Sequence, residues 1–229
     1  MKILAVDTAT TSCSVAVTDG QHLVAEITLA RSRTHTRHLA GMLRDVCRLA
    51  GLGVAEVDAF AVVKGPGSFT GLRIGVSTVK GLAEGAGRPI VGISALQALA
   101  EQAAAATPLV CPLIDARRGE VYFAGYHRTG GGLVERHRAQ AAAPEQMLLA
   151  IDAPCTFIGN GAVLYDSVIR DRLGAMAHFA PAAAHTIRAG TVAHLAWRRL
   201  EYGESDDITT FSPDYLRKSD TQVSPRPRN

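Results

Sequence analysis

The stretch that decides the fold is Gly65-Pro66-Gly67-Ser68-Phe69-Thr70-Gly71-Leu72-Arg73-Ile74-Gly75. It follows an apolar run at residues 57–63, which predicts a strand, and it opens a helical pattern over 70–86. Glycines let a backbone approach a ligand closely, and a helix N-terminus favours anions. The stretch lacks the Gly-Lys-Ser/Thr ending of a Walker A loop. A plain strand-to-helix turn, capped by Ser68 or Thr70, is therefore the alternative to a phosphate loop.

A second polar turn begins at Asp7, directly after the apolar run Ile3–Val6. Hydroxyls and backbone N–H groups can hold a phosphate there, and the acid can hold Mg²⁺ through water. A β-turn whose hydroxyls satisfy local backbone groups is the alternative, and the motif alone favours it. Together the two turns give these candidate phosphate-binding residues: Asp7, Thr8, Thr10, Gly65, Gly67, Ser68 and Thr70.

Hydrophobic periodicity predicts an α/β chain in two parts. The first part reads β-β-β-α-β-α-β-α, which suits a mixed sheet with crossover helices. Its predicted elements are strands at 3–6, 12–18, 23–29, 57–63 and 90–93, and helices at 34–50 (N-cap Thr34), 70–86 and 94–105. Pro108 marks a boundary, giving domains at 1–106 and 107–229. The second part has predicted strands at 110–114, 120–126 and 155–158, a glycine loop at 130–132, and helices at 145–151, 162–173 and 186–202, the last of which we expect to pack back on the first domain.

Composition indicates an ordinary globular chain. Of its 229 residues 47% are hydrophobic and 20% charged, so a proper core can form. The net charge of +3 is all in residues 217–229, where Arg217, Lys218, Arg226 and Arg228 outweigh Asp220 (four minus one). The remaining body has no net charge, which argues against a nucleic-acid groove, and we expect a flexible basic tail at about 219–229.

The sequence gives no sign of export or of membrane insertion. The first apolar run ends at Asp7, too soon for a signal peptide, and no stretch reaches the ~20 apolar residues of a membrane span. Four scattered cysteines predict buried thiols rather than a disulfide framework or a zinc ribbon. We therefore expect a cytoplasmic protein.

The helix over 70–86 carries two apolar or small faces instead of one. One face holds Leu72, Val76, Val79 and Ala83, and the other holds Ile74, Thr78, Gly81 and Gly85. A surface helix normally needs a single apolar face. The second face predicts either burial between two layers of the same domain or a subunit interface where another helix comes close.

Five segments, in order, resemble the TsaB (YeaZ) family: "MKILAVDTATTSCSVAV", "GPGSFTGLRIGVSTVKGLA", "PIVGISALQALA", "IDARRGEVYFA" and "PDYLR". The match runs from Met1 to about Lys218. The resemblance implies the actin/Hsp70/sugar-kinase-like (ASKHA) fold, with two related α/β domains and mixed sheets. It also implies a non-catalytic scaffold: the paralogue TsaD transfers threonylcarbamoyl to adenosine 37 of tRNA, and the ATPase TsaE joins the pair.

The resemblance also implies what this chain lacks. TsaD-like paralogues carry a metal-binding His-x-x-x-His, and the corresponding positions here are Ala95 and Leu99. Neither side chain can bind a metal, so the comparison implies no catalytic residues, no metal and no cofactor. The two phosphate loops are then inherited geometry, with weak or no binding of ATP or ADP.

In this family the first two helices build the pairing surface. The resemblance therefore implies a partner interface at Leu39, Met42, Leu43, Val46, Ile74, Thr78 and Gly81. The same surface is expected to pair two copies when TsaD is absent, and tRNA is reached only through the complex. Two alternatives remain: a sugar-kinase-type phosphotransferase, with Asp7, Gly67 and Ser68 on phosphate and Asp115 as base, and a glycoprotease-like metalloprotease.

Overall fold

Two five-stranded mixed sheets form the framework of the molecule, in a computed structural model that describes residues 1–30, 35–104 and 106–217. The first sheet has the order β3-β2-β1-β4-β5 and the second has β10-β9-β6-β7-β8. The strands are β1 Lys2–Asp7, β2 Cys13–Asp19, β3 His22–Leu29, β4 Ala59–Gly65, β5 Ile90–Ser94, β6 Leu109–Arg117, β7 Glu120–Thr129, β8 Gly132–Ala142, β9 Cys155–Ile158 and β10 Ala177–Phe179. The helices are α1 His35–Leu49, α2 Phe69–Ala86, α3 Ala95–Gln102, α4 Pro144–Leu148, α5 Asn160–Leu164, α6 Asp166–Leu173 and α7 Ala189–Glu201.

Strand β1 is the centre of the first sheet. It pairs antiparallel with β2 and parallel with β4, which makes the sheet mixed as the element order predicts. Successive side chains of a strand point to opposite sides of the sheet, and those of β1 are buried on both sides. Leu4 and Val6 join the core under α1 and α2, whereas Ile3 and Ala5 join the core that holds α3 and α7.

The two sheets enclose a shared middle layer. Helices α3 and α7 pack with residues of both sheets in one cluster that includes Val91, Val110 and Ala193. A third cluster covers the other face of the second sheet with α4 and α6. Over the described residues no helix is long and apolar enough to cross a bilayer.

The N-terminus of α7 is fastened to the first sheet by Glu26. This carboxylate, on β3, accepts a hydrogen bond from the backbone N–H of Gly190 at 2.9 Å and pairs with Arg188. Ser14 on β2 accepts a second one from the N–H of Ala189 at 3.0 Å. Two otherwise unpaired N–H groups of the first helical turn are thus satisfied, and an anion sits at the positive end of the helix.

The second sheet departs from the sequence prediction at three places. Strands β8 and β10 are additional to the predicted elements, and the predicted helix 162–173 is two helices that meet at Tyr165. Strand β8 is an edge strand rich in exposed polar side chains, so it lacks the alternation that reveals a half-buried strand. The predicted N-cap Thr34 and the basic tail at about 219–229 lie outside the described residues.

A C-terminal strap, residues 206–217, follows α7 and crosses from the first sheet to the second. It begins where Asp206 bridges to Ile90 of β5, and Phe211 then enters the core beneath α2. Asp214 donates its N–H to the carbonyl of Lys64 at 2.7 Å. The strap ends at Arg217, which pairs with Glu120 at the start of β7.

Candidate functional site

The two candidate phosphate loops are packed directly on each other. The N–H of Ser68 donates to the carbonyl of Ala9 at 2.6 Å, and the hydroxyl of Thr8 donates to the carbonyl of Gly71 at 2.8 Å. Both partners of the second bond are buried. The start of α2 therefore rests on the turn after β1, and each loop occupies hydrogen-bonding groups of the other.

The glycines of the deciding stretch serve this contact. A Cβ on Gly67 would meet the carbonyl oxygen of Ala9, and one on Gly71 would meet that of Thr8. A Cβ on Gly75, one turn further along α2, would meet the hydroxyl of Thr8. In all three cases the added Cβ would lie far closer to its neighbour than van der Waals contact allows. The motif predicts that the backbone closely approaches another group, and in this chain that group is the turn at Thr8 and Ala9.

The hydroxyl groups of the two loops have local roles. Ser68 caps α2, with its side chain accepting from the N–H of Gly71 at 3.3 Å, as the alternative interpretation of the motif predicts. The hydroxyls of Thr10 and Ser12 lie 2.8 Å apart and hydrogen bond to each other. Thr70 is exposed at the first turn of α2.

Asp7 is fully buried at the end of β1. Its Oδ1 accepts from the N–H of Ala9 at 2.9 Å, while Oδ2 has no hydrogen-bond partner among the described residues. Burial raises the pKa of this carboxyl from 3.8 to about 7, and the Ala9 hydrogen bond opposes that rise. Desolvation thus brings neutral and charged forms into balance near neutral pH. Burial raises the pKa of the neighbouring Cys13 thiol as well, and the charge of Asp7 raises it further.

The C-terminal strap covers the start of α2. The rings of Phe69 and Tyr215 lie 4.8 Å apart, and the guanidinium of Arg73 lies 4.0 Å from the Phe69 ring centre. Arg73 Nε also donates to the Tyr215 hydroxyl at 3.1 Å. A Cβ on Gly65 would strike the backbone of Asp214. In the sequence, the strap motif "PDYLR" stands out only as a match to the family, because no local pattern shows what it packs against.

Asp115, the base of the kinase alternative, lies near the end of β6, just before the hairpin turn to β7. Its Oδ1 accepts from the N–H of Arg117 at 2.8 Å, and its Oδ2 lies 3.4 Å from the Arg117 guanidinium. Arg117 and Arg118 both have positive φ, 63° and 57°, in this tight turn between β6 and β7. The carboxylate is therefore engaged by the hairpin itself, as is typical of an acid beside a tight turn.

The positions that correspond to the paralogue's metal-binding histidines lie in the core. Ala95 and Leu99 are both buried in the middle layer at the start of α3. Across residues 1–30, 35–104 and 106–217, no three His, Cys, Asp or Glu side chains are grouped so that they could hold a metal ion.

The predicted partner interface needs a correction on α1. Four of its residues are buried in the chain's own core: Leu39, Met42, Leu43 and Val46. They form the single apolar face that a surface helix turns to its own sheet, so they are not available to a partner. The α2 residues are placed differently. Ile74 and Thr78 are half-buried, and Gly81 is exposed.

Comparisons with known proteins show the family to which the chain belongs. A family model described as TsaD, tRNA N6-adenosine threonylcarbamoyltransferase, matches residues 22–224. The tRNA threonylcarbamoyladenosine biosynthesis protein TsaB of Bacillus subtilis is 30% identical over 227 residues, covering 97% of each chain. The solved structure of YeaZ from Pseudomonas aeruginosa superposes with a TM-score of 0.81 at 30% identity, covering 93% of this chain and 99% of that one.

A more distant likeness concerns the fold alone. The ROK hexokinase of Thermus thermophilus has a TM-score of 0.50 at 14% identity, covering 86% of this chain and 99% of that one. Two mixed sheets around a helical middle layer, with paired loops at the strand ends, define the actin/Hsp70/sugar-kinase-like class. Within that class, the full-length match to relatives at 30% identity is decisive. The chain belongs to the TsaB family.

Proposed function

We propose that this chain is a non-catalytic subunit in the formation of N6-threonylcarbamoyladenosine in tRNA, and that it acts by pairing with a TsaD protein. The names of its relatives give the pathway, and the match to a TsaD family model agrees with two paralogous subunits. We further propose that TsaE joins the pair, that the chain forms a homodimer when alone, and that it works in the cytoplasm.

The exposed face of α2 is the observation that carries this proposal. One side of the helix is buried beneath the strands, through Leu72, Val76 and Val79. On the other side a Cβ placed on Gly81 or Gly85 would have no atom within 4 Å. Bare helix backbone at a surface costs helix stability, because glycine is about 1 kcal/mol less favourable than alanine there. A partner helix that packs closely against the glycines offsets that cost.

The packing of the two loops favours a subunit role over the kinase alternative. Ser68 and Thr8 are hydrogen-bonded across the loop contact, and Asp7 is shielded from solvent. A phosphotransferase needs these groups facing its nucleotide and metal. We therefore propose that the loops bind ATP or ADP weakly or not at all.

The substitution Gly81→Arg tests the pairing surface. The new side chain has room in the chain itself, so folding is expected to be retained, but it blocks close approach of a partner helix. Ser167→Arg, at an exposed position of α6, adds the same charge elsewhere. In co-purification with tagged TsaD, we expect Gly81→Arg to lose the partner and Ser167→Arg to keep it. Equal recovery of TsaD by both variants contradicts this surface.

A further inference from the structure

A second site lies at the far end of the molecule from the two loops. Asp7 pairs with Ser14 at one end of the first sheet, whereas Lys2 pairs with Asp19 at the other, next to the turn that holds Gln21. The hairpin tip at residues 130–132 joins β7 to β8 at one end of the second sheet. This end is also where β6 starts, since Leu109 of β6 pairs with His127 of β7. These two turns and the C-terminal half of α7 line an open pocket of about 550 Å³. We call it the α7 pocket.

Aromatic side chains form one wall of the α7 pocket. Trp197 is half-buried against the middle layer, with its ring stacked on His194 at a centroid separation of 6.0 Å. Tyr202, which follows the last turn of α7, leaves 84% of its surface exposed. A large aromatic ring at that exposure adds nothing to the chain's own core. The exposed ring of Tyr202 and the half-buried ring of Trp197 line one opening, which suits a planar ligand that stacks.

The hairpin tip contributes three glycines to the lining of the pocket. Gly130 has no atom within 4 Å of a built Cβ, and Gly131 has only the hydroxyl of Thr129 at 3.9 Å. Gly132, with φ of +119°, would bring a Cβ to 3.4 Å from the guanidinium of Arg198. The hairpin tip therefore leaves room for a flat ring, and Arg198 lies along it.

Charged and amide groups at the rim could bind the phosphate of a nucleotide and the polar edge of its base. The side chain of Arg198 is 42% exposed, and its contact with the Glu101 carboxylate is long, at 3.9 Å. Its guanidinium can thus turn to a phosphate, which it binds with charge-assisted hydrogen bonds. Gln21 and Glu201, both exposed at the rim, offer an amide and a carboxylate to the hydrogen-bonding edge of a base.

We propose that the α7 pocket binds a nucleotide, with its base stacked on Trp197 and Tyr202 and its phosphate at Arg198. The ligand is either a free mononucleotide or an unpaired nucleotide of an RNA strand, since both present the same ring and phosphate. The site is separate from the loops at Asp7 and Gly67, and it needs no partner subunit.

Trp197 is the single tryptophan of the chain, so it reports on its own site. Purified chain is titrated with AMP while tryptophan fluorescence is excited at wavelengths where adenine does not absorb. We expect saturable quenching by AMP, weaker binding of adenosine, which lacks the phosphate, and no quenching by ribose 5-phosphate, which lacks the ring. Absence of saturable quenching by AMP overturns the proposal.

Three variants place the ligand. Tyr202→Ala removes an exposed ring that the fold does not need, and Arg198→Gln removes the charge; each is expected to weaken AMP about tenfold. Arg172→Gln, at an exposed position of α6, is the matched control and should bind as the wild type does. If Arg198→Gln and Tyr202→Ala both bind AMP as tightly as Arg172→Gln does, the pocket is not the site.

A short single-stranded oligoribonucleotide distinguishes the two sources. Tighter quenching by the oligonucleotide than by AMP, lost in Tyr202→Ala, supports an RNA ligand. Equal affinity for the two supports a free nucleotide. The experiment uses the chain alone, so its result does not depend on whether the chain pairs with TsaD.

Discussion

Replacing Gly71 by alanine tests the contact between the two loops. A Cβ at this position would lie 2.1 Å from the carbonyl oxygen of Thr8, while ordinary contact begins at 3.4 Å. Ordinary contact is restored when the start of α2 moves by about 1.3 Å (3.4 minus 2.1) relative to the turn after β1. That shift stretches the bonds from Thr8 Oγ1 to Gly71 O and from Ser68 N to Ala9 O beyond hydrogen-bonding range.

The expected loss follows from these contacts. Overpacking costs about 1–3 kcal/mol. Each buried polar group that loses its partner adds about 1–3 kcal/mol. Helix propensity returns at most about 1 kcal/mol. We therefore expect Gly71→Ala to lower the free energy of unfolding by at least about 2 kcal/mol (1 for overpacking plus 2 for the two groups of the buried Thr8–Gly71 bond, minus 1), measured by urea denaturation.

Gly85→Ala is the control on the same helix. Its Cβ meets no atom within 4 Å, so the variant should gain about 0.5–1 kcal/mol from helix propensity alone. If Gly71→Ala is as stable as the wild type while Gly85→Ala gains stability as expected, the two loops do not pack in the way described.

Three further predictions concern burial and charge. The buried carboxyl of Asp7 keeps its proton up to a pKa of about 7, whereas the unfolded chain loses it above 3.8, so folding is penalised progressively as pH rises between these values. Asp7→Asn should match the wild type below pH 3.8 and exceed it by about 2–4 kcal/mol above pH 7 in urea unfolding across pH. Glu26→Ala should cost about 2 kcal/mol in the same assay, because it leaves the N–H of Gly190 without a partner and removes the anion from the N-terminus of α7; Arg188→Ala, at an exposed partner, should cost less. Phe211→Ala should cost about 3–5 kcal/mol and release the C-terminal strap to limited proteolysis, and an unchanged cleavage pattern would contradict its role as an anchor.

The first sheet could be predicted from the sequence because its strands and helices carry strong periodic patterns. The buried run at 3–6 lies inside β1, and the predicted helix 70–86 matches α2, Phe69–Ala86. The second sheet was harder. Strand β8 is an exposed edge held by pairing with β7, and the break at Tyr165 between α5 and α6 has no glycine or proline to reveal it.

The sequence predicts where the two loops lie, but it does not predict which groups they contact. Glycines at 67 and 71 correctly signal a close backbone approach, yet only the structure shows that Thr8 and Ala9 fill the space. The same limit applies to α1, since an apolar stripe facing its own sheet and one facing a partner have the same spacing. The α7 pocket joins residues from three distant segments, so no local pattern in the sequence could have pointed to it.

Reconstitution tests the central claim most directly. Purified chain, TsaD and TsaE are incubated with tRNA, ATP and the precursors of the threonylcarbamoyl group, and modified adenosine is measured with each protein left out in turn. The subunit role predicts product only when this chain and TsaD are both present, and none from this chain with TsaE alone. Modified adenosine formed without TsaD, or full activity without this chain, would contradict the account.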